Sequence, residues 1–211
     1  MTGTRAAATK WSQKKPWGPW ALFFKGFLKH PVMVGSIIPS TEKLITHMLS
    51  RVDWKNCKLF VEYGPGVGTF CRDILGRLRG DATLIAIDTN PEFIAYLRRD
   101  IADSRFIPVH GSAADVEAII AAHGFSHMDQ ALSGLPFSTL PAGVGNAIAA
   151  ATLRALRPGG TFLVYQYRKK VRDFLATAFE RIDEGFELIN VPPCFLFWAH
   201  KDETDERPNA G

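Results

Sequence analysis

Leu59-Phe60-Val61-Glu62-Tyr63-Gly64-Pro65-Gly66-Val67-Gly68-Thr69-Phe70 is the stretch that decides the fold of this chain. An apolar run ends at three glycines set at every second position, and Cys71-Arg72-Asp73-Ile74-Leu75 then continues with helical spacing. The order reads as a buried strand, a tight turn and a helix. Glycine lets the backbone turn sharply and lets a ligand approach where a Cβ would otherwise stand. The helix start adds N–H groups with no partner inside the helix. About twenty residues on, Leu84-Ile85-Ala86-Ile87-Asp88 is a second buried strand ending in an acid. An acid at that distance commonly takes the ribose hydroxyls of a nucleotide-like cofactor.

The spacing separates two readings. A dinucleotide fingerprint runs G-x-G-x-x-G, whereas here the pattern is Glu-x-Gly-x-Gly-x-Gly. A carboxylate two residues before the first glycine repels a pyrophosphate and suits a cationic ligand. The arrangement resembles the first motif of the class I S-adenosylmethionine (AdoMet) methyltransferases, whose cofactor carries an amino acid tail and a sulfonium. Glu62 before the glycines and Asp88 after them make the resemblance stronger than the glycines alone could.

At 211 residues, 46% hydrophobic and 22% charged, the chain is a globular domain of ordinary size. Cys57, Cys71 and Cys194 are scattered and odd in number, which predicts reduced structural thiols, and no metal-ligand spacing exists among the cysteines and six histidines. We expect no metal. No signal peptide is evident, and no window reaches the length of a membrane span. The net charge of +4 is unevenly spread: residues 1–41 hold Arg5, Lys10, Lys14, Lys15, Lys25 and Lys29 and no acid. Removing those six from 25 basic residues leaves 19 against 21 acids. A basic segment of this kind suggests an anionic partner surface, membrane or nucleic acid.

From Trp17 the composition turns aromatic. Trp20, Phe23, Phe24, Phe27 and Leu28 fall on one face of a helix, with Lys25 and Lys29 on the other side. This is the pattern of an interfacial helix, with Trp17 at its start, and it predicts membrane contact. Residues 1–33 therefore read as a basic tail and amphipathic helix, and residues 34–211 as the second unit. Within it, helices are expected from Ser40 or Thr41 to Arg51, from Pro91 to Asp103, from Val116 to His123, from Pro141 or Gly143 to Leu156 and from Val171 to Glu180. Strands are expected at Phe106–Val109, Met128–Leu132, Thr161–Tyr167, Phe186–Val191 and Cys194–His200. The last two predict an antiparallel hairpin at the edge of an α/β sheet.

Four segments reach the carboxyl ends of these strands, where open parallel sheets bind ligands: Glu62 to Gly68, Asp88-Thr89-Asn90, Gly111-Ser112-Ala113 and Ser133 to Phe137. Val34-Gly35-Ser36-Ile37-Ile38-Pro39-Ser40, Glu62 to Gly68, Ile87-Asp88-Thr89-Asn90 and Ser133-Gly134-Leu135-Pro136-Phe137 together resemble the soluble bacterial phospholipid N-methyltransferases. The likeness spans residues 17–199. It implies a Rossmann-like class I fold with a seven-stranded, mostly parallel sheet, and stepwise methylation of phosphatidylethanolamine to phosphatidylcholine with AdoMet as donor. It also implies a peripheral, monomeric protein on the inner face of the cytoplasmic membrane, favouring anionic lipids. Ser36, Ile38, Glu62, Tyr63, Gly64, Gly66, Gly68, Asp88 and Thr89 would bind the cofactor. Ser112 and Ala113 would line its adenine, and Leu135 and Pro136 would lie near the methyl group.

A sulfonium is already activated, so the protein must place a neutral amine in line with the methyl carbon and keep water out. Tyr165, Gln166 and Tyr167, at the end of the fifth strand, are candidates to hold the headgroup, and Tyr63 is another. Aromatic faces also suit a quaternary ammonium product. Arg168, ahead of Lys169 and Lys170, is the candidate for the lipid phosphate. The rival reading is an RNA adenine N6-dimethyltransferase, which places an Asn or Asp before Leu-Pro or Pro-Pro and an aromatic at the end of strand four. Here Ser133-Gly134 supplies no such acceptor. A non-catalytic AdoMet sensor on a membrane is a third reading.

Overall fold

The computed structural model describes residues 42–137, 140–190 and 193–204. Trp17, Trp20, Phe23, Phe24, Lys25, Phe27, Leu28 and Lys29, with Ser36, Ile38 and the boundary at 33/34, lie outside the described residues.

Seven strands form one sheet: β1 Leu59–Tyr63, β2 Thr83–Asp88, β3 Phe106–His110, β4 Met128–Ser133, β5 Leu156–Gln166, β6 Arg181–Glu187 and β7 Cys194–His200. Their spatial order is β3-β2-β1-β4-β5-β7-β6. The first five run parallel, and β7 is antiparallel to both β5 and β6. β1 and β4 are buried at every position, as central strands are when helices cover both faces, even though they carry Glu62, Asp129, Gln130 and Ser133. The expected mostly parallel sheet with an antiparallel carboxyl end is what forms, and this is the Rossmann-like class I architecture.

Six α-helices cover the sheet: α1 Glu42–Leu49, α2 Thr69–Arg77, α3 Pro91–Asp100, α4 Val116–Ala122, α5 Val144–Ala155 and α6 Val171–Leu175. Alternation along the strands builds one core per face. Phe60, Leu84, Ala86, Leu132, Leu163 and Trp198 pack with α1, α2 and α3. Val61, Tyr63, Ile85, Ala131, Phe162 and Phe197 pack with α4, α5 and α6. Trp198 is fully buried, donates its indole N–H to the Met48 carbonyl at 3.0 Å and carries the Arg51 guanidinium 4.0 Å above its ring.

The amino edge of the sheet is tied by one carboxylate. Asp129 accepts the backbone N–H groups of Lys58 at 2.8 Å and Leu59 at 2.9 Å, and pairs with Arg157 Nε at 2.6 Å. Beginnings of β1, β4 and β5 are thus held together, and the opposite, carboxyl edge is left for loops that carry chemistry.

Three boundaries depart furthest from expectation, while several helix and strand ends differ by a few residues. β5 begins at Leu156 and not at Thr161, because Gly159 and Gly160 exchange backbone hydrogen bonds with Lys201 past the end of β7. Its pairing with β4 jumps from Met128↔Leu156 to Gln130↔Thr161, and Gly159 takes a φ of 72° in that irregularity. α6 stops at Leu175, where single turns through Phe179 replace the predicted longer helix. The sixth strand is Arg181–Glu187 and not Phe186–Val191. Gly185 supports this register: it pairs with Leu196, and a Cβ there would lie 2.9 Å from the buried ring of Trp198, two residues along β7, so a side chain at 185 would press on that ring. The apolar pair Leu188-Ile189 consequently falls beyond the strand.

Candidate functional site

The β1–α2 turn is built by glycine conformations. Gly64, Gly66 and Gly68 have φ of 67°, 56° and 78°, in the left-handed region where a side chain is strained. Gly64 N–H donates to the Ile87 carbonyl at 2.9 Å, which fastens the turn to the end of β2. A Cβ on Gly64 would fall 2.7 Å from Leu135 Cδ2, so the loop after β4 packs directly on the turn. One on Gly66 would meet no atom within 4 Å, which leaves its backbone open to a ligand. Arg72, one turn into α2, donates to the carbonyls of Val67 at 3.1 Å and Gly68 at 2.9 Å and pairs with Asp100. Sequence reasoning passed over Arg72, which holds the outer arm of the turn.

Two acids stand beside the turn. Glu62 is 3% exposed and accepts the Cys71 thiol at 3.0 Å. Burial lifts its carboxyl from the ordinary 4.5 to about 7, the Cys71 hydrogen bond opposing the rise and the charge of Asp88 adding to it. Asp88 is also buried and also raised by burial, against the N–H groups of Asn90, Gly66 and Thr89 that favour its charge. An anionic pair in apolar surroundings is favourable ground for a cation. Asn90 was read only as part of the segment. Its Oδ1 caps α3 by accepting from Glu92 N–H at 2.9 Å, while its buried Nδ2 has no hydrogen-bond partner. An orphaned donor two residues from Asp88 points to a ligand rich in polar groups.

The other cofactor candidates are gathered at the same edge in different states. Thr89 is half-buried, and its carbonyl lies 3.1 Å from His110 Nε2. Ser112 spends its hydroxyl capping the short helical turn Ala113–Asp115, accepting from Ala114 N–H at 3.2 Å. Ala113 faces the core, so what it can present to a ligand is backbone. Tyr63 needs a larger correction. Its side chain is fully buried on the far face of the sheet, with its hydroxyl 3.1 Å from Thr152 Oγ1, and cannot hold a headgroup. The strand alternation that points Glu62 toward the turn sends Tyr63 away from it.

At the end of β4, Ser133 Oγ accepts from Leu135 N–H at 3.1 Å. Gln166 is buried and donates its amide to the Leu135 carbonyl, so it positions this loop and is not placed to touch substrate. Tyr165 points to the opposite face. Its ring stacks on Phe70 with centroids 5.1 Å apart, and its hydroxyl lies against Gly134 where a Cβ would be. The phenol therefore occupies the space a side chain at position 134 would take. Pro136 is half-buried beside Leu135. Tyr167 and Arg168 are exposed just past β5. A concavity of about 690 Å³ at the opposite edge, lined by Asp129, Arg157 and Thr161 among others, contains none of these residues. No group of three metal-ligating side chains occurs among the described residues.

AdoMet fits what is present: an open glycine turn at Gly66, two buried carboxylates for its cationic tail and its ribose, and the unpartnered Asn90 amide.

No protein-family profile matches the sequence. The chain is 29% identical over 184 residues to an ornithine lipid N-methyltransferase of Singulisphaera acidiphila, covering 84% of this chain and 94% of that protein. A local match of 35% identity to ribosomal RNA small subunit methyltransferase H of Bordetella avium covers 38% of this chain and 23% of that one. Among solved structures, Burkholderia thailandensis 1,6-didemethyltoxoflavin-N1-methyltransferase, with S-adenosylhomocysteine bound, superposes with a TM-score of 0.65 at 15% identity over 93% of this chain and 94% of its own. Glycine turn, paired acids and strand order agree on the fold of the class I AdoMet-dependent methyltransferases, and along almost its whole length the chain is similar in sequence to a lipid N-methyltransferase.

Proposed function

We propose that this protein methylates the amine of a membrane aminolipid, phosphatidylethanolamine and its mono- and dimethyl derivatives, at the surface of the cytoplasmic membrane, leading to phosphatidylcholine. The observation that carries this reading is the Tyr165 hydroxyl lying over Gly134. Enzymes that methylate the adenine amino group place an amide or acid side chain there, and a glycine under a phenol cannot supply that acceptor. The phenol oxygen instead offers one hydrogen-bond acceptor to a flexible primary amine, beside an aromatic face suited to a methylated ammonium.

AdoMet, when bound, supplies an electrophilic methyl group on its sulfonium. Glu62 and Asp88 hold the cationic tail and the ribose. Gln166 fixes the Leu135 carbonyl, and through it the loop whose Leu135 side chain closes on Gly64 and excludes water from the reacting end. Tyr165 would accept an N–H of the primary or secondary amine in the first two transfers, turning the lone pair toward the methyl donor, whereas the tertiary amine of the third has no N–H and would rest against the aromatic face alone. Arg168, exposed one residue past Tyr167, would be available to a lipid phosphate.

A second reading has specific support. The relative that matches across its whole length acts on ornithine lipid, whose amine would meet the same phenol. Full-length protein incubated with labelled AdoMet and vesicles containing phosphatidylethanolamine, vesicles containing ornithine lipid, or ribosomal RNA separates these cases. Label in methylated phosphatidylethanolamine is expected. Label only in ornithine lipid would move the substrate within the aminolipid class, and label in RNA with none in either lipid would refute the proposal.

A further inference from the structure

The exposed large apolar side chains among the described residues are Val67 (49%), Tyr167 (45%), Phe186 (43%), Leu188 (70%) and Ile189 (55%). All five stand at the carboxyl edge of the sheet or just past it. Val67 is in the glycine turn and Tyr167 follows β5. Phe186 is in the last stretch of β6, and Leu188 and Ile189 follow that strand. β5 and β6 run in the same direction, each antiparallel to β7, and Gln166, Phe195 and Phe186 form one row across them. Tyr167 and Leu188 therefore emerge on the same side, separated by two strand spacings of about 5 Å each. Random scatter of exposed apolar groups would not confine them to one edge.

The charge around this edge is cationic. Arg168 and Lys170 are exposed. Glu184 is matched by Arg172 at 2.6 Å and Lys169 at 3.7 Å, and Lys169 also sits 5.5 Å from the Phe195 ring. Glu187 turns back to His47 at 3.2 Å and to Ile189 N–H at 3.1 Å. An apolar tip beside cations that no acid opposes among the described residues selects its partner. Residues 1–41 of this chain carry six basic residues and no acid, so their sequence offers these cations no countercharge. A second copy docking through the same edge would bring like charges together. An anionic lipid surface meets both requirements.

We infer that Leu188, Ile189 and Phe186, with Arg168 and Lys170, form a membrane-docking surface that seats the carboxyl edge of the sheet on anionic lipid, separate from the aromatic helix read near residue 20. The inference deepens the proposed action on a lipid, because it would present the openings beside Tyr165 and Gly134 to the headgroup layer. Leu188 and Ile189 enter the interface while the cations stay at phosphate depth.

The test uses full-length protein and vesicles of phosphatidylglycerol and phosphatidylcholine, which contain no methyl acceptor. Vesicle binding thus reads the surface even if the proposed substrate is wrong. Leu188→Ser/Ile189→Ser should weaken partitioning by roughly tenfold or more, since two apolar side chains no longer leave water. Its thermal midpoint and AdoMet affinity should equal those of the wild type. Lys170→Glu should weaken binding at low salt and lose the difference at high salt. A polarity-sensitive dye on Ile189→Cys should shift to the blue when vesicles are added. Unchanged partitioning together with an unshifted dye would overturn the inference. So would a wild-type dimer that the double variant dissociates, which would assign the edge to a second copy. A fall in the thermal midpoint with vesicle binding intact would show that the chain covers its own edge, and would overturn it equally.

Discussion

Glu62→Gln tests the electrostatics of the cofactor turn most directly. Burial raises the Glu62 carboxyl from 4.5 to about 7, so the folded protein holds a proton there that the unfolded chain has released. Stability contributed at this position is therefore present below pH 4.5 and is lost as pH rises through 7. With each pH unit of separation worth about 1.4 kcal/mol, the folded protein carries a penalty of about 3 kcal/mol at pH 8. Glutamine keeps the shape and the acceptor for the Cys71 thiol and cannot ionise. Urea unfolding, followed by the fluorescence of Trp54 and Trp198, should show wild-type stability falling relative to the variant between pH 5 and pH 8. The two should nearly coincide at pH 4.5, and the variant should be more stable by about 3 kcal/mol at pH 8. Asp88, shifted the same way, is present in both proteins, so apart from its coupling to Glu62 its own burial drops out of the comparison. AdoMet binding should respond oppositely. A cationic tail favours the ionised carboxylate, so wild-type affinity should rise with proton release near pH 7, while Glu62→Gln binds weakly at every pH. Parallel stability curves for the two proteins across this range would refute the assignment of a strained, buried charge to Glu62.

Two further outcomes separate packing from ligand contact. Gly64→Ala should lower stability by about 1–3 kcal/mol, through its left-handed φ and the 2.7 Å approach of Leu135, whereas Gly66→Ala should cost about 1 kcal/mol, for φ alone, and still lose AdoMet. Calorimetry showing wild-type affinity in Gly66→Ala would mean that the open space above that glycine does not receive the cofactor. Tyr165→Phe keeps the stack on Phe70, so fold and AdoMet affinity should stand while turnover on lipid falls about a hundredfold; wild-type turnover would remove the phenol from the reaction.

The parallel half of the fold was legible because its signals are local. Unbroken apolar runs, the glycine turn and Asp88 each fix a strand end within a few residues, and the four parallel crossovers follow from their order. The carboxyl-terminal part was not, since its strand boundaries depend on pairing at long range. β6 reads Arg181-Ile182-Asp183-Glu184-Gly185-Phe186-Glu187, more polar than the Leu188-Ile189 that follows. Propensity favours the apolar pair, yet the strand ends before it, in a register that suits a glycine against a buried Trp198 ring 13 residues further along the chain.

The same distinction explains the site. Acids and glycines of the cofactor turn act near their own places in the chain, so spacing exposed them. The acceptor proposed for substrate is assembled across two strands: the residue after β4 contributes an absence at Gly134, and β5 fills it with the hydroxyl of Tyr165. Read along the chain, Gly134 looks like the loss of a catalytic side chain, and Tyr165 and Tyr167 look equivalent. Only the parallel register of β4 and β5 distinguishes the tyrosines, placing Tyr165 just past the Ser133↔Val164 pair and Tyr167 in solvent. A fixed amide suits a planar base whose amino group arrives in one orientation. A phenol reaching over a glycine leaves room for an amine on a flexible headgroup that must be turned again after each methyl is added.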